Sequence, residues 1–304
     1  MASGEGTKAI LAAFFANVGI AIAKFVGFLI TRSSSMLAES VHSVADSGNQ
    51  LLLLLGGRRA RRPPTPEHPF GYGRERYFWA FVVALVLFSL GSLFAIYEGI
   101  EKIRHPHELE SAAVALGILG VAIVLAGFSL RTAIVETNHA RGEHSLRSFI
   151  RHAKAPELPV VLLEDTGAMI GLVIAFVAVI VAEITGEPRW DGAGTISIGV
   201  LLGVIAIVLA IEMKSLLIGE GASAKHLRAI EEAILSSPNA KRLIHLRTQH
   251  IGPDELLVGA KVHFREDLSA EALADAINDV ELRVREAVPI VRPLYIEPDI
   301  YRGA

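Results

Sequence analysis

The chain has 304 residues, 52% of them apolar and 20% charged, with a mean hydropathy of +0.46, which is too apolar for a water-soluble globular protein of this size. A net charge of -3 argues against bulk nucleic-acid binding, so no nucleic-acid partner is expected. The absence of cysteine excludes disulfide frameworks and thiolate metal centres, leaving His, Asp, Glu and backbone oxygen to hold any metal.

Met1 to Lys8 lacks the basic stretch and small-residue cleavage site of a signal peptide, so the first apolar run is expected to remain as a span. Six runs approach or exceed the roughly 20 residues needed to cross a bilayer core: 8–30, 36–57, 77–100, 111–135, 158–182 and 193–218. The fold class is therefore a polytopic α-helical membrane protein with six transmembrane helices, in contact with membrane lipid. Arginines crowd the second link (Arg58, Arg59, Arg61, Arg62, Arg74, Arg76) and the fourth (Arg131, Arg141, Arg147, Arg151, with Lys154). The positive-inside rule then puts both termini and both of these loops in the cytoplasm, with the plasma membrane as the expected location. Gly19, Gly27, Gly117, Gly120, Gly199 and Gly203 would permit close helix approach.

From Ser223 onward the apolar runs are too short to span. A helix to about Ser236, stopped by Pro238, precedes strands at 241–250 and 255–265, which are joined at Gly252-Pro253-Asp254. Ser269 is placed to N-cap a helix to about Ala287, and a strand at 291–297 follows. This α-β-β-α-β order fits an α+β ferredoxin-like cytoplasmic domain. The division is thus a transport domain over 1–221 and a cytoplasmic domain over 222–304.

Ionisable residues within a span cost about 2.5–3.5 kcal/mol each and need partners or water. In span two, Glu39, His42, Asp46 and Asn49 recur at helical spacing and form one polar stripe. His42 and Asp46, at i and i+4, can direct an imidazole nitrogen and a carboxylate to one ion, a ligand mixture suited to zinc; a plain polar seam is the competing explanation. Span five carries Glu164 and Asp165. Adjacent helical positions point about 100° apart, so the two are expected to differ in role, with Asp165 the better ligand. Glu164 is equally compatible with a structural pair to an arginine at the cytoplasmic mouth. Lys24 in span one is assigned no role, because its stem can snorkel. His245, His250 and His263 fall on strands and are expected to be exposed.

The run Ser34-Ser35-Met36-Leu37-Ala38-Glu39-Ser40-Val41-His42-Ser43-Val44-Ala45-Asp46 and the loop His68-Pro69-Phe70-Gly71-Tyr72-Gly73-Arg74-Glu75 resemble the cation diffusion facilitator family of metal transporters. So do the six runs and the C-terminal domain. Leu162-Leu163-Glu164-Asp165-Thr166 resembles the branch that contains the ninth animal zinc transporter and bacterial relatives. The resemblance implies a tetrahedral site with two ligands from span two, matched by His42 and Asp46, and two from span five. Asp165 matches one of those, but Val161 stands where His or Asp is usual, so water, Glu164 or Glu39 is left to complete the coordination. In the span two to span three loop, Tyr72 replaces a histidine, which favours a structural turn over a second metal site.

The resemblance implies export of a divalent metal ion, zinc foremost with Mn2+, Fe2+, Co2+ or Ni2+ possible, by a homodimer exchanging it for protons and using no resident cofactor. Two alternatives have different chemistry. One is an intramembrane metal-dependent hydrolase, for which Val161 leaves an open metal position but no HExxH motif exists. The other is a non-transporting metal-binding partner subunit of a heteromeric transporter.

Overall fold

The computed structural model describes residues 5–31, 34–106, 112–142 and 145–302, apart from the side chains of 5, 31, 34–39, 41, 42 and 45. It divides into two compact units, Met1–Arg58 with Glu75–Lys214 and Arg59–Arg74 with Ser215–Ala304.

The first unit is helical: α1 (Glu5–Thr31), α2 (Ser34–Ala60), α3 (Glu75–Val86), α4 (Phe94–Arg104), α5 (Ala112–Arg141), α6 (Leu146–His152), α7 (Glu157–Thr185) and α8 (Arg189–Ile218). A seven-residue π-helical stretch, Leu87–Leu93, joins α3 to α4, making one continuous rod over Glu75–Arg104. Among the described residues five segments are long and apolar enough to cross a membrane: Gly6–Ile30, Glu75–Arg104, Ala112–Arg141, Glu157–Thr185 and Arg189–Ile218. The expected second span forms α2, a helix of 27 residues. It falls outside those five for a physical reason, since its polar stripe and terminal arginines offset its leucines.

Helices α1, α5 and α7 pack together, and α2 joins them where Ser40 Oγ donates to the Ala21 carbonyl at 3.0 Å. Helices α4 and α8 approach through glycines. A Cβ on Gly99 would lie 2.8 Å from the Gly192 carbonyl oxygen, and one on Gly192 would lie 2.9 Å from the Gly99 oxygen. Gly199 and Gly203 continue this seam against Ser92 and Ile96. Gly117 and Gly120 have nothing within 4 Å of a virtual Cβ, so the expectation of close helix approach holds at Gly199 and Gly203 but fails at these two positions. Gly99→Ala should therefore lower the unfolding free energy in detergent by about 1–3 kcal/mol through overpacking. Gly117→Ala should cost nothing, because the added methyl meets open space; thermal unfolding of the two variants side by side tests the contrast.

The second unit contains α9 (Ala224–Leu235), β1 (Ala240–Gly252), β2 (Glu255–Phe264), α10 (Ala270–Ala287) and β3 (Val291–Pro298). Ser223 and Ser269 cap the two helices, their side chains accepting from the His226 and Ala272 amides. The sheet order is β1-β2-β3, with β1 antiparallel and β3 parallel to β2. Burial alternates along the whole of β2, so one face of the sheet forms a core with α9 and α10. Ile230, Ile234, Leu256, Val258, Val262, Val280 and Val284 are its fully buried members.

The Arg59–Arg74 loop belongs to this unit and closes on itself. Thr65 and His68 exchange backbone hydrogen bonds at 3.2 and 3.0 Å, and the Gly71 amide donates to the His68 carbonyl. Gly71 has φ of 80°, a left-handed turn position that glycine occupies without strain. Tyr72 meets His68 edge to face at 4.7 Å between ring centroids. A Cβ on Gly73 would stand 2.6 Å from the Ile251 carbonyl oxygen, so the loop backbone lies directly on the tip of the β1–β2 hairpin.

Two of the three strand histidines differ from expectation. His245 is exposed, but His250 is 2% exposed, because its amide donates to the Glu220 carbonyl at 2.8 Å and the segment before α9 covers the strand. His263 is half-buried, with Nδ1 near the Asp299 carbonyl and the Tyr301 amide.

Candidate metal site in the membrane unit

The polar stripe of α2 faces α7. Asn49 Nδ2 donates to Glu164 Oε1 at 2.9 Å, and Gln50 Nε2 donates to Glu164 Oε2 at 3.1 Å. Asn17 of α1 extends the chain, its Nδ2 lying 3.4 Å from Gln50 Oε1. Both oxygens of one buried carboxylate are thus fixed by side chains of a second helix, an arrangement an ionised carboxylate satisfies as a pure acceptor. Asp165, the next residue of α7, points to α5, where Ser129 Oγ donates to its Oδ2 at 2.6 Å. The divergence expected from adjacent helical positions is realised, yet both carboxylates line one cavity.

That cavity measures about 220 Å³ and is lined by Asp46, Glu164 and Asp165 together with Asn17, Lys24 and Ser43. It continues along Gly91, Glu98 and Thr195 to Lys102 and Asp191. Lys102 Nζ stands 3.3 Å from a Glu98 oxygen and 3.0 Å from an Asp191 oxygen, so the far end is lined by an ion-paired triad. The π-helical stretch contributes Leu87 and Gly91 to the wall, in keeping with the tendency of such stretches to occur at functional sites.

Asp46 of α2 and Asp165 and Glu164 of α7 converge on the cavity. His42 and Glu39 lie on α2, with side chains outside the described residues. The arginine pairing considered for Glu164 is corrected: its partners are the Asn49 and Gln50 amides, and the residue that pairs with an arginine is Glu157, whose Oε1 accepts from Arg76 Nε. Val161 is completely buried and absent from the cavity lining. Among the described residues no three His, Asp or Glu side chains close on a single point that could hold a metal ion.

Gln50, Ser129, Asn17 and the triad of Glu98, Lys102 and Asp191 escaped the sequence reading. Only Glu98, an acid inside the predicted span 77–100, carried a visible signal; Lys102 falls in the link that follows that span.

Five apolar spanning segments around a cavity of buried carboxylates define an integral membrane protein of the ion-handling kind. The cation efflux transmembrane domain matches residues 10–218, and the chain belongs to that family of metal transporters. The mouse proton-coupled zinc antiporter SLC30A9, mitochondrial, is 30% identical over 260 residues, covering 84% of this chain and 46% of that protein. Metal tolerance protein C4 of Arabidopsis thaliana is 31% identical over 262 residues, 84% of this chain and 57% of its own length. The zinc transporter ZitB of Escherichia coli is 27% identical over 199 residues, 65% of this chain and 58% of its own. The chain spans about half the length of the first of these relatives. A solved structure of the MamM CTD aligns with 25% of this chain and 95% of its own at 17% identity and a TM-score of 0.24, a likeness that carries no argument.

Proposed function

We propose that the protein exports a divalent transition metal from the cytoplasm, zinc foremost, in exchange for protons. The observation that carries this reading is the convergence of Asp46, Glu164 and Asp165 on one cavity inside a cation efflux membrane unit. In this reading α2 is the sixth span, and residues 1–221 form the transport domain with both termini cytoplasmic. Residues 222–304 form a ferredoxin-like cytoplasmic domain that holds two copies together as a homodimer. His42, Asp46 and Asp165 are the principal ligands, Glu164 replaces the ligand lost at Val161, and Glu39 lies toward the outer end of the stripe.

Proton exchange follows from the ligand types. A metal needs neutral imidazole and ionised carboxylate, and a proton competes for the same lone pairs, so the two cargoes exclude one another at one site. The names of the mouse and Escherichia coli relatives support zinc. The proposed location is the cell membrane, although the mouse relative is named as mitochondrial.

Purified protein in liposomes, offered zinc, manganese, iron and cobalt under opposing proton gradients, tests this. Zinc movement should accelerate several-fold when protons run the other way, with a matching change of internal pH. Flux indifferent to the gradient would discard the exchange, and no metal moving under any gradient would discard transport.

A further inference from the structure

The cavity is closed at one end and extended at the other. Its lining runs from Asp46, Glu164 and Asp165 toward Lys102 and Asp191, and none of its lining residues comes from 75–86 or 157–163. Those two stretches, the beginnings of α3 and α7, form a dry layer instead: Tyr77, Ala80, Val83, Val160 and Val161 are each 0% exposed. On the other side of the layer lies a separate cavity of about 180 Å³, lined by Gly6, Arg76, Lys154, Glu157 and Leu158 among others.

Among the described residues an ion pair links α3 to α7 at this level, with Arg76 Nε donating to Glu157 Oε1. Side-chain exposures are 17% for the arginine and 7% for the glutamate. Glu157, Val161 and Asp165 recur every fourth residue, so the pair lies two turns before Asp165 along one face of α7. The second carboxylate oxygen, Glu157 Oε2, is buried and has no hydrogen-bond partner among the described residues.

A buried ion pair adds little stability over apolar packing, since desolvation offsets its attraction, and its best-attested use is to select one of two arrangements. An incompletely satisfied pair is poorly suited to permanent closure and well suited to a contact that parts and reforms.

We propose that Arg76 and Glu157 form the latch that shuts the cytoplasmic mouth of the transport cavity. The conformation described is then the one open away from the cytoplasm, and parting the pair is the movement that gives the cytoplasm access to Asp165. The assignment of sides rests on the orientation proposed above. Arg76 and Glu157 act here as positioning residues, not as ligands.

The chain has no native cysteine, so single thiols report access without background. Val161→Cys, one turn beyond the latch, should react slowly with a membrane-impermeant maleimide applied from the cytoplasmic side in metal-free buffer. Adding Glu157→Gln or Arg76→Ala should raise that rate roughly tenfold, a shift typical of coupled two-state elements. Ala175→Cys, which lines the open end, should become less reactive from the opposite side by a similar factor. Exchanging the charges, Arg76→Glu with Glu157→Arg, should return both rates toward the parent's.

An unchanged Val161→Cys rate would overturn the latch. So would a rise at both positions together, which marks general loosening, or a failure of the exchanged pair to restore closure. If Glu157→Gln does not fold, Glu157→Asp, with the charge kept and the reach shortened, should give an intermediate rate, and a rate equal to the parent's would count against the proposal. Labelling needs neither metal nor gradient, so a protein that moves no metal still gives a decisive result.

Discussion

Asp165→Asn should abolish metal flux, by at least about a hundredfold, while leaving folded protein in the membrane. The substitution is nearly isosteric, and its carbonyl oxygen can still accept from Ser129 Oγ, which now stands 2.6 Å from Oδ2. Packing against α5 therefore survives. What disappears is the negative charge, and a divalent ion leaving water for a low-dielectric cavity is compensated by ionised ligands far better than by neutral amides. Asp46→Asn should act in the same direction, because Asp46 lines the same cavity from α2. Flux into vesicles, normalised to the folded fraction by gel filtration, measures the effect, and near-normal flux in both variants would remove the cavity from the transport path.

Element order and much of the site were legible in the sequence because the signals are local. Apolar runs bounded by arginine clusters gave the helices, and the turn residues Gly252-Pro253-Asp254 marked the break between two strands. The stripe containing Asp46 and Asn49 followed from helical period alone. Partners across helices were not legible. Ser129 looked like any hydroxyl in an apolar helix, where the usual bond is to the carbonyl four residues back, as Ser89, Thr132 and Thr166 form; nothing local marked it as facing Asp165. Asp191 lies 89 positions from Lys102 in numbering, and only tertiary packing unites them. The Arg59–Arg74 loop read as a simple connection between spans, because its association with the sheet rests on the absence of a side chain at Gly73.

Glu164 offers a test in which stability and transport separate. Its two oxygens hold the Asn49 and Gln50 amides, and the residue is 7% exposed. Glu164→Ala leaves both donors buried without acceptors and opens a void. Each stranded donor costs about 1–3 kcal/mol, and the void adds to this. Glu164→Gln keeps the shape and creates a conflict of donors that can be relieved locally. The Asn49 Oδ1 atom is buried and has no hydrogen-bond partner among the described residues, so turning the Asn49 amide over would present that oxygen to the new glutamine's NH2 group. The glutamine variant also removes a charge whose burial opposes folding. It should therefore unfold at or above the parent's temperature, and the alanine variant should fall below it, with a gap between the two of about 3 kcal/mol. If Glu164 stands in for the ligand missing at Val161, both variants should lose flux by about tenfold or more, the stable glutamine included, because only the charge is common to the two losses. Full flux in a stable glutamine variant would make Glu164 purely a tie between α2 and α7, and would leave Asp46 and Asp165 as the only described carboxylates of the site.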